Sequence, residues 1–247
     1  MNVILFILTI IFGIVFLPLF ILGLLLSAFL SLFIGKDTEY KKDNGFYRAL
    51  FNVLTWYFLT VLRVKVVVSG KELIKGDDRV LFVCNHISAY DPLITWLSLR
   101  DIRPAFVSKP ENMKVPVFGR FVKKLLFTAI DRENPKLAIK TIVKSGERLK
   151  DKAVSVCIYP EGTRNREKGL LPFHNGVFKI AQKGESDILV ATVYGTQDIN
   201  KRLTLKRTVV HLDLISLLHY AEIKDVGTQE IGDRVKSLME ENLKKYN

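Results

Sequence analysis

The apolar residues of this chain are concentrated at its N-terminal end, where residues 3–34 contain no charged side chain. As an α-helix, this segment would be about 48 Å long, which exceeds the ~30 Å hydrocarbon core of a bilayer. A second apolar segment, residues 46–62, is rich in aromatic residues and has Arg48 and Arg63 near its ends, as is typical of a helix at the headgroup boundary. The pattern predicts a two-helix membrane anchor over residues 1–63.

Two arrangements of this anchor are open. In one, the first helix spans the bilayer. In the other, both helices form a hairpin within a single leaflet, and we favour this arrangement because the second helix gives the first a partner and has an interfacial composition.

From residue 64 onward, short runs rich in Val, Ile and Phe alternate with amphipathic stretches. Strands are predicted at residues 64–69, 80–85, 104–109, 126–130, 154–160, 188–194 and 208–214. Helices are predicted at residues 91–99, 135–149 and 228–246. This alternation predicts an α/β domain over residues 64–247, with a central, mainly parallel or mixed sheet flanked by helices and preceded by the hydrophobic hairpin.

Two of the predicted helices have the same start signal, a capping residue followed by proline. Asp91 is expected to cap the first of them and Asn134 the second. In the second helix the apolar spacing predicts a buried stripe formed by Ile139, Ile142, Val143 and Leu149.

The charge of +12 is unevenly distributed, since residues 61–247 carry +11 of it. A basic body behind an apolar end suits an anionic partner, either nucleic acid or an anionic membrane surface. The aromatic residues concentrate in the anchor rather than among the basic residues, which argues against nucleic acid. Cys84 and Cys157 each lie inside an apolar run and are predicted to be buried, reduced thiols, so we expect the body to lie on the cytoplasmic face of the membrane.

The sequence motifs of several common classes of enzyme and binding site are absent from this chain. The chain contains no Gly-x-Ser-x-Gly elbow of a serine hydrolase and neither of the usual glycine-rich nucleotide loops. It also lacks a His, Cys and carboxylate spacing typical of a metal site, so no metal is predicted.

The predicted strand at residues 80–85 leads directly into a possible catalytic pair, His86 and Asp91. A carboxylate that bonds one ring nitrogen of a histidine fixes its tautomer and raises the basicity of the other, as a general base requires. The pair alone is weak support for catalysis, because Asp91 could merely cap its helix and His86 could be an ordinary loop residue.

Other predicted strands also end in charged or flexible residues. A glycine in a turn after a strand lets backbone amides approach a ligand, and an arginine there can bind phosphate in a fork. A surface turn with a Glu–Arg ion pair is the alternative explanation for the turn after residue 160. These strand-end candidates are Lys109, Arg120, Arg132, Glu161, Gly162, Thr163 and Arg164.

Taken in order, four segments resemble the conserved blocks of the glycerolipid acyltransferase family, and specifically 1-acyl-sn-glycerol-3-phosphate acyltransferases. They are NHISAYD (85–91), SKPENMKVPVFGR with FTAIDR (108–132), YPEGTRN (159–165) and LPFHNGVFKIA (171–181). The chain departs from the family pattern in three places: Tyr159 replaces a usual Phe, His174 replaces a common Lys, and Ala191 lies near a usual proline, so no site residue is assigned there.

The resemblance implies an enzyme that moves an acyl group from acyl-CoA or an acyl carrier protein thioester to the sn-2 hydroxyl of lysophosphatidic acid, giving phosphatidic acid without a further cofactor. It implies that His86 is the general base and that Asp91 orients it. Glu161 would position the acceptor or a cation. Arg164, together with Lys109, Arg120 or Arg132, would bind the acceptor phosphate, and Gly162 and Thr163 would also contact substrate.

Two other functions are kept. The first is acylation of another lysophospholipid or of glycerol 3-phosphate. The second is a non-catalytic lipid-binding or scaffolding protein. This function explains the anchor and the basic surface, but not the potentially catalytic and charged residues that follow the predicted strands.

Overall fold

The structure is a computed structural model that describes residues 2–35, 38–75, 77–131, 133–165, 167, 169–199 and 207–246. The helices are α1 Asn2–Leu32, α2 Gly45–Val61, α3 Asp91–Ser98, α4 Pro110–Lys114, α5 Phe118–Phe121, α6 Pro135–Lys150, α7 Lys179–Gly184, α8 Tyr220–Ile223 and α9 Thr228–Leu243. The strands are β1 Val64–Ser69, β2 Leu81–Cys84, β3 Pro104–Ser108, β4 Thr128–Ala129, β5 Ser155–Ile158, β6 Ile188–Tyr194 and β7 Thr208–Leu218.

The strands form one seven-stranded sheet in the order β1-β7-β6-β2-β5-β3-β4. All neighbouring strands are parallel except β6 and β7, which are antiparallel. All seven predicted strands and the mixed α/β sheet are therefore confirmed. The central strands β2 and β5 are buried at every position, as expected for parallel strands covered on both faces.

Alternate residues of β2 point into two separate cores. Phe82 and Cys84 face a core that α2 and α3 cover, whereas Leu81 and Val83 face a core covered by α6, α7 and α9. Both cysteines are free and buried, which confirms that prediction.

Helix α2 belongs to the body as much as to the anchor. Its Phe51 and Leu59 pack into the core over the sheet, while Val53 and Trp56 on its other side are exposed. Helix α1 packs on α2, where the Tyr57 hydroxyl donates a hydrogen bond to the Gly13 carbonyl at 2.6 Å. The apolar side chains of α1 are mostly exposed, and among the described residues α1 is the helix with the length and composition to cross a membrane.

The link between the anchor helices is tied to the sheet by a buried carboxylate, Asp43. It pairs with Arg48 at 2.8 Å and with Arg103 at 3.0 Å. Arg48 also donates to the Pro104 carbonyl at the start of β3 and lies over the Trp96 ring. The hairpin is therefore attached to the body by charge as well as by apolar packing.

The prediction for α6 was right about its start and about half of its buried stripe, since Leu149 is buried and Ile142 packs against the same core. The Asn134 side chain caps the helix, but Ile139 and Val143 are 60% and 36% exposed. The buried face instead includes Gly146, where an added Cβ would lie 2.6 Å from the Lys183 Cβ of α7. Small residues bring α6 and α7 close together, and this close approach outweighs the apolar spacing.

Candidate active site

The carboxyl ends of β3, β5, β2 and β6 lie at the same edge of the sheet, because these four neighbouring strands are parallel. A cavity of about 450 Å³ opens at this edge. Its apolar lining consists of Phe51, Ala89, Pro92, Leu93, Phe106, Val107, Phe118 and Phe127. Its polar lining consists of His86, Ser108, Lys109, Asn112, Tyr159, Gly162, Thr163 and Arg164.

The structure brings His86 and Asp91 together, with Nδ1 of His86 2.7 Å from Oδ2 of Asp91. The Asp91 side chain is fully buried, whereas the His86 side chain is 18% exposed and faces the cavity. Because a carboxylate only accepts hydrogen bonds, Nδ1 carries the proton and Nε2 has the free lone pair. The nitrogen that remains for a substrate is therefore the basic one.

Asp91 is not the cap of α3, contrary to the sequence prediction. It is the first helical residue, and Tyr90 occupies the cap position without a side-chain capping bond. Its Oδ2 instead accepts hydrogen bonds from the amides of Ile87 at 2.7 Å and Ser88 at 2.8 Å. The carboxylate thus folds the preceding loop back over itself and places the imidazole.

The second oxygen of Asp91 has a partner that sequence reasoning missed. The hydroxyl of Thr196 donates to Oδ1 at 2.5 Å, and Thr196 is almost completely buried. Thr196 follows β6 by way of Gly195, which has a φ of +92°. The available signal was a hydroxyl residue just beyond a strand end, but only the strand order shows that this end adjoins β2.

The turn after β5 holds the backbone of His86 on both sides. Oε1 of Glu161 accepts from the His86 amide at 2.8 Å, and the Asn165 amide donates to the His86 carbonyl at 2.7 Å. Oε2 of Glu161 accepts from the Leu171 amide at 2.9 Å. Burial raises the pKa of the Glu161 carboxyl, and the hydrogen bonds from the His86 and Leu171 amides oppose that shift. Glu161 is a buried clamp on the backbone rather than part of a surface ion pair.

Two further residues orient the imidazole. The Tyr159 ring stacks on the His86 ring with centroids 4.4 Å apart and planes 16° apart. Burial raises the pKa of the Tyr159 hydroxyl well above its ordinary value, so the phenol is neutral. The side-chain amide of Asn85 bonds both the amide and the carbonyl of Val193, joining the ends of β2 and β6.

Only part of the predicted cationic cluster lies at the cavity. Lys109 and Arg164 are exposed at its rim, and among the described residues neither takes part in a salt bridge. Arg120 instead donates to the Ser31 carbonyl of α1 at 3.3 Å. Arg132 lies outside the described residues. Within the described part of the chain, no group of His, Cys, Asp or Glu side chains has the arrangement of a metal site.

The amino-acid sequence of this chain is similar to those of several named proteins. It is 32% identical to the 1-acyl-sn-glycerol-3-phosphate acyltransferase of Cocos nucifera over 55% of this chain and 43% of that protein. It is 27% identical to the enzyme of the same name from Escherichia coli K12, over 66% of each chain. The chain thus spans less than two thirds of the length of these curated relatives.

The fold is shared with a solved structure. The crystal structure of the 1-acyl-sn-glycerophosphate (LPA) acyltransferase PlsC from Thermotoga maritima superposes with a TM-score of 0.70 at 20% identity, covering 100% of this chain and 98% of that one. The family model described as Acyltransferase matches residues 65–195, which include His86, Asp91 and the turn after β5. The resemblance seen in the sequence is confirmed, and the chain belongs to the Acyltransferase family.

Proposed function

We propose that this chain transfers an acyl group from an acyl thioester to the sn-2 hydroxyl of lysophosphatidic acid, giving phosphatidic acid. The observation that carries the proposal is the pairing of His86 with the buried Asp91 at a cavity with one apolar wall and a cationic rim. The names of the relatives support the same acceptor.

The lining of the cavity suits an amphipathic substrate. Lys109 and Arg164 at the rim can bind the acceptor phosphate through charge-assisted hydrogen bonds. The apolar wall, which includes Phe51, Phe106 and Phe127, can accommodate the start of an acyl chain.

The proposed reaction needs one base and no covalent acyl-enzyme, since a thioester is already an activated donor. Nε2 of His86 takes the proton from the acceptor hydroxyl, and Asp91 stabilises the imidazolium that forms. The resulting alkoxide adds to the thioester carbonyl to give a tetrahedral intermediate. Its collapse breaks the C–S bond, and the proton on His86 passes to the leaving thiolate. Acyl-CoA and acyl carrier protein both satisfy this chemistry as donors.

The packing of the anchor favours a hairpin in one leaflet. Because α2 packs on the sheet and α1 packs along α2, α1 follows the surface of the body rather than projecting away from it. We propose that the outer, apolar side of this hairpin is immersed in the leaflet nearest the body, on the cytoplasmic face.

His86→Ala and Asp91→Asn should each lower kcat by roughly 10²–10⁴-fold, the usual contribution of general acid–base catalysis. The measurement is thiol release from acyl-CoA and from acyl carrier protein thioester, with lysophosphatidic acid, another lysophospholipid and glycerol 3-phosphate as competing acceptors. His219→Ala is the matched control, because His219 also pairs with a carboxylate, Asp187, on an exposed part of the surface.

Near-normal turnover by a folded His86→Ala protein would refute the mechanism. Vesicle binding without thiol release by the wild-type chain would support the non-catalytic alternative instead.

Thr196→Val should lower kcat with little change in KM, because it removes a donor from Asp91 without touching the cavity. A hydrogen bond to a charged group contributes roughly 1.5–3 kcal/mol, which sets about 10- to 100-fold as the upper range of the loss. Thr196→Ser keeps the hydroxyl and should restore most of the activity. A Ser variant as impaired as the Val variant would assign Thr196 a packing role only.

Arg164→Ala and Lys109→Ala should each raise the KM for lysophosphatidic acid by about 10-fold or more, because a charge-assisted bond to phosphate is lost. The penalty should vanish with monoacylglycerol, which has no phosphate. Lys224→Ala, at an exposed lysine beyond α8, controls for the loss of one positive charge. An unchanged KM in both site variants would exclude these two residues from phosphate binding.

For the topology, a cysteine introduced as Val3→Cys should react with a membrane-impermeant maleimide only from the side of sealed vesicles on which the body lies. Asp225→Cys marks that side, since the Asp225 side chain is exposed. Cys84 and Cys157 are buried and should not react. Labelling of position 3 only from the opposite side would show that α1 spans the bilayer.

A further inference from the structure

Residues 115–118, which form the turn after α4 and the first residue of α5, expose apolar side chains on an otherwise basic part of the body. Val115 is 47% exposed and Phe118 is 38% exposed. Lys109 and Lys114, at the start and end of α4, are also exposed. We refer to residues 115–118 as the apolar turn.

The backbone of the apolar turn is strained. Val117 has φ and ψ of +64° and −64°, a conformation that β-branched residues rarely adopt. The Phe118 amide donates to the Pro116 carbonyl at 2.7 Å, which closes a three-residue γ-turn. Next to it, a Cβ added at Gly119 would lie 2.0 Å from the Met113 carbonyl oxygen. Strain of this kind persists where the surrounding structure imposes it, and it often marks a functional position.

The apolar turn lies between the anchor and the cavity. Helix α5 packs against α1, and Arg120 bonds the Ser31 carbonyl near the end of that helix. Phe29, Leu32 and Phe33 are exposed in the same part of α1. On its other side, Phe118 lines the cavity that contains His86. The apolar turn therefore lines the candidate active site and leads directly into the helix that packs against α1.

We infer that the apolar turn inserts into the same lipid layer as α1 and forms one side of the passage between that layer and the cavity. Its occupant is the acyl region of a bilayer, because the turn exposes apolar side chains where α5 packs against the apolar helix α1, and the adjacent lysines can reach lipid phosphates. The role as a passage rests on the proposed acyltransferase function, whereas the insertion does not.

Insertion can be measured with a fluorophore on a single thiol. Cys84 and Cys157 have no exposed surface, and burial raises the pKa of both thiols, so a nitrobenzoxadiazole reagent should label only an introduced cysteine. Three full-length variants are compared on phosphatidylcholine–phosphatidylglycerol vesicles with brominated acyl chains: Val115→Cys, Leu22→Cys in α1 and Asp225→Cys on the body. The label at position 115 should be quenched by bromolipid, as at position 22, while the label at 225 is quenched by aqueous iodide.

A label at 115 that behaves like the label at 225, while the label at 22 is quenched by lipid, overturns the inference and leaves the anchor intact. If neither 115 nor 22 is quenched by lipid, both the inserted turn and the membrane anchor are overturned. Lipid quenching at 115 in a protein without acyl transfer supports the insertion and refutes the proposed function separately.

The passage is tested by Val115→Asp. Val115 does not line the cavity, so turnover of short-chain, monomeric lysophosphatidic acid should be retained, while turnover of long-chain substrate presented in vesicles should fall several-fold. Val209→Asp is the matched control, because Val209 is 43% exposed on β7 and is not among the residues that line the cavity. Equal turnover of vesicle substrate by the two Asp variants would overturn the passage role.

Discussion

The arrangement of the candidate active site depends on the buried carboxylate of Asp91. It accepts four hydrogen bonds, from the imidazole of His86, the amides of Ile87 and Ser88, and the hydroxyl of Thr196. A buried charge is costly unless it is fully hydrogen-bonded, and here the four donors come from a loop after β2 and a turn after β6. The requirement to satisfy one carboxylate therefore fixes how these two segments approach each other, and the position of the imidazole follows from it.

The remaining contacts of His86 extend this constraint across the sheet edge. Glu161 and Asn165, from the turn after β5, bond the amide and the carbonyl of His86, and Tyr159 stacks on its ring. Three parallel strands thus contribute to the placement of one side chain, and with Nδ1 bonded to Asp91, Nε2 is the ring nitrogen that remains for a substrate. In the proposed mechanism, a base held on rigid elements in this way keeps its geometry without a reorganisation cost when the substrate binds.

The sequence was sufficient to predict the strands, because seven short apolar runs, each bounded by turn signals, are typical of strands rather than of helices. It was also sufficient to predict that His86 and Asp91 meet and that Glu161 lies in the turn after β5, because these residues are close together within motifs. It could not locate Thr196, which reaches Asp91 only through the order of β6 and β2, or show that Arg120 bonds α1. The wrong prediction that Ile139 and Val143 are buried has the same origin. The face of α6 that contains Gly146 is buried because α7 packs against it, and the spacing of apolar residues within α6 does not encode that neighbour.

The division into an anchor and a catalytic body also becomes less sharp in three dimensions. Phe51 of α2 forms part of the cavity wall, Asp43 ties the link between the anchor helices to Arg103, and Arg120 ties α5 back to α1. The apolar hairpin and the cavity are therefore joined by packing, by an ion pair and by a hydrogen bond. In the proposed arrangement the substrate does not need to cross water, because the same packing that holds α2 on the sheet would also hold the cavity beside the bilayer.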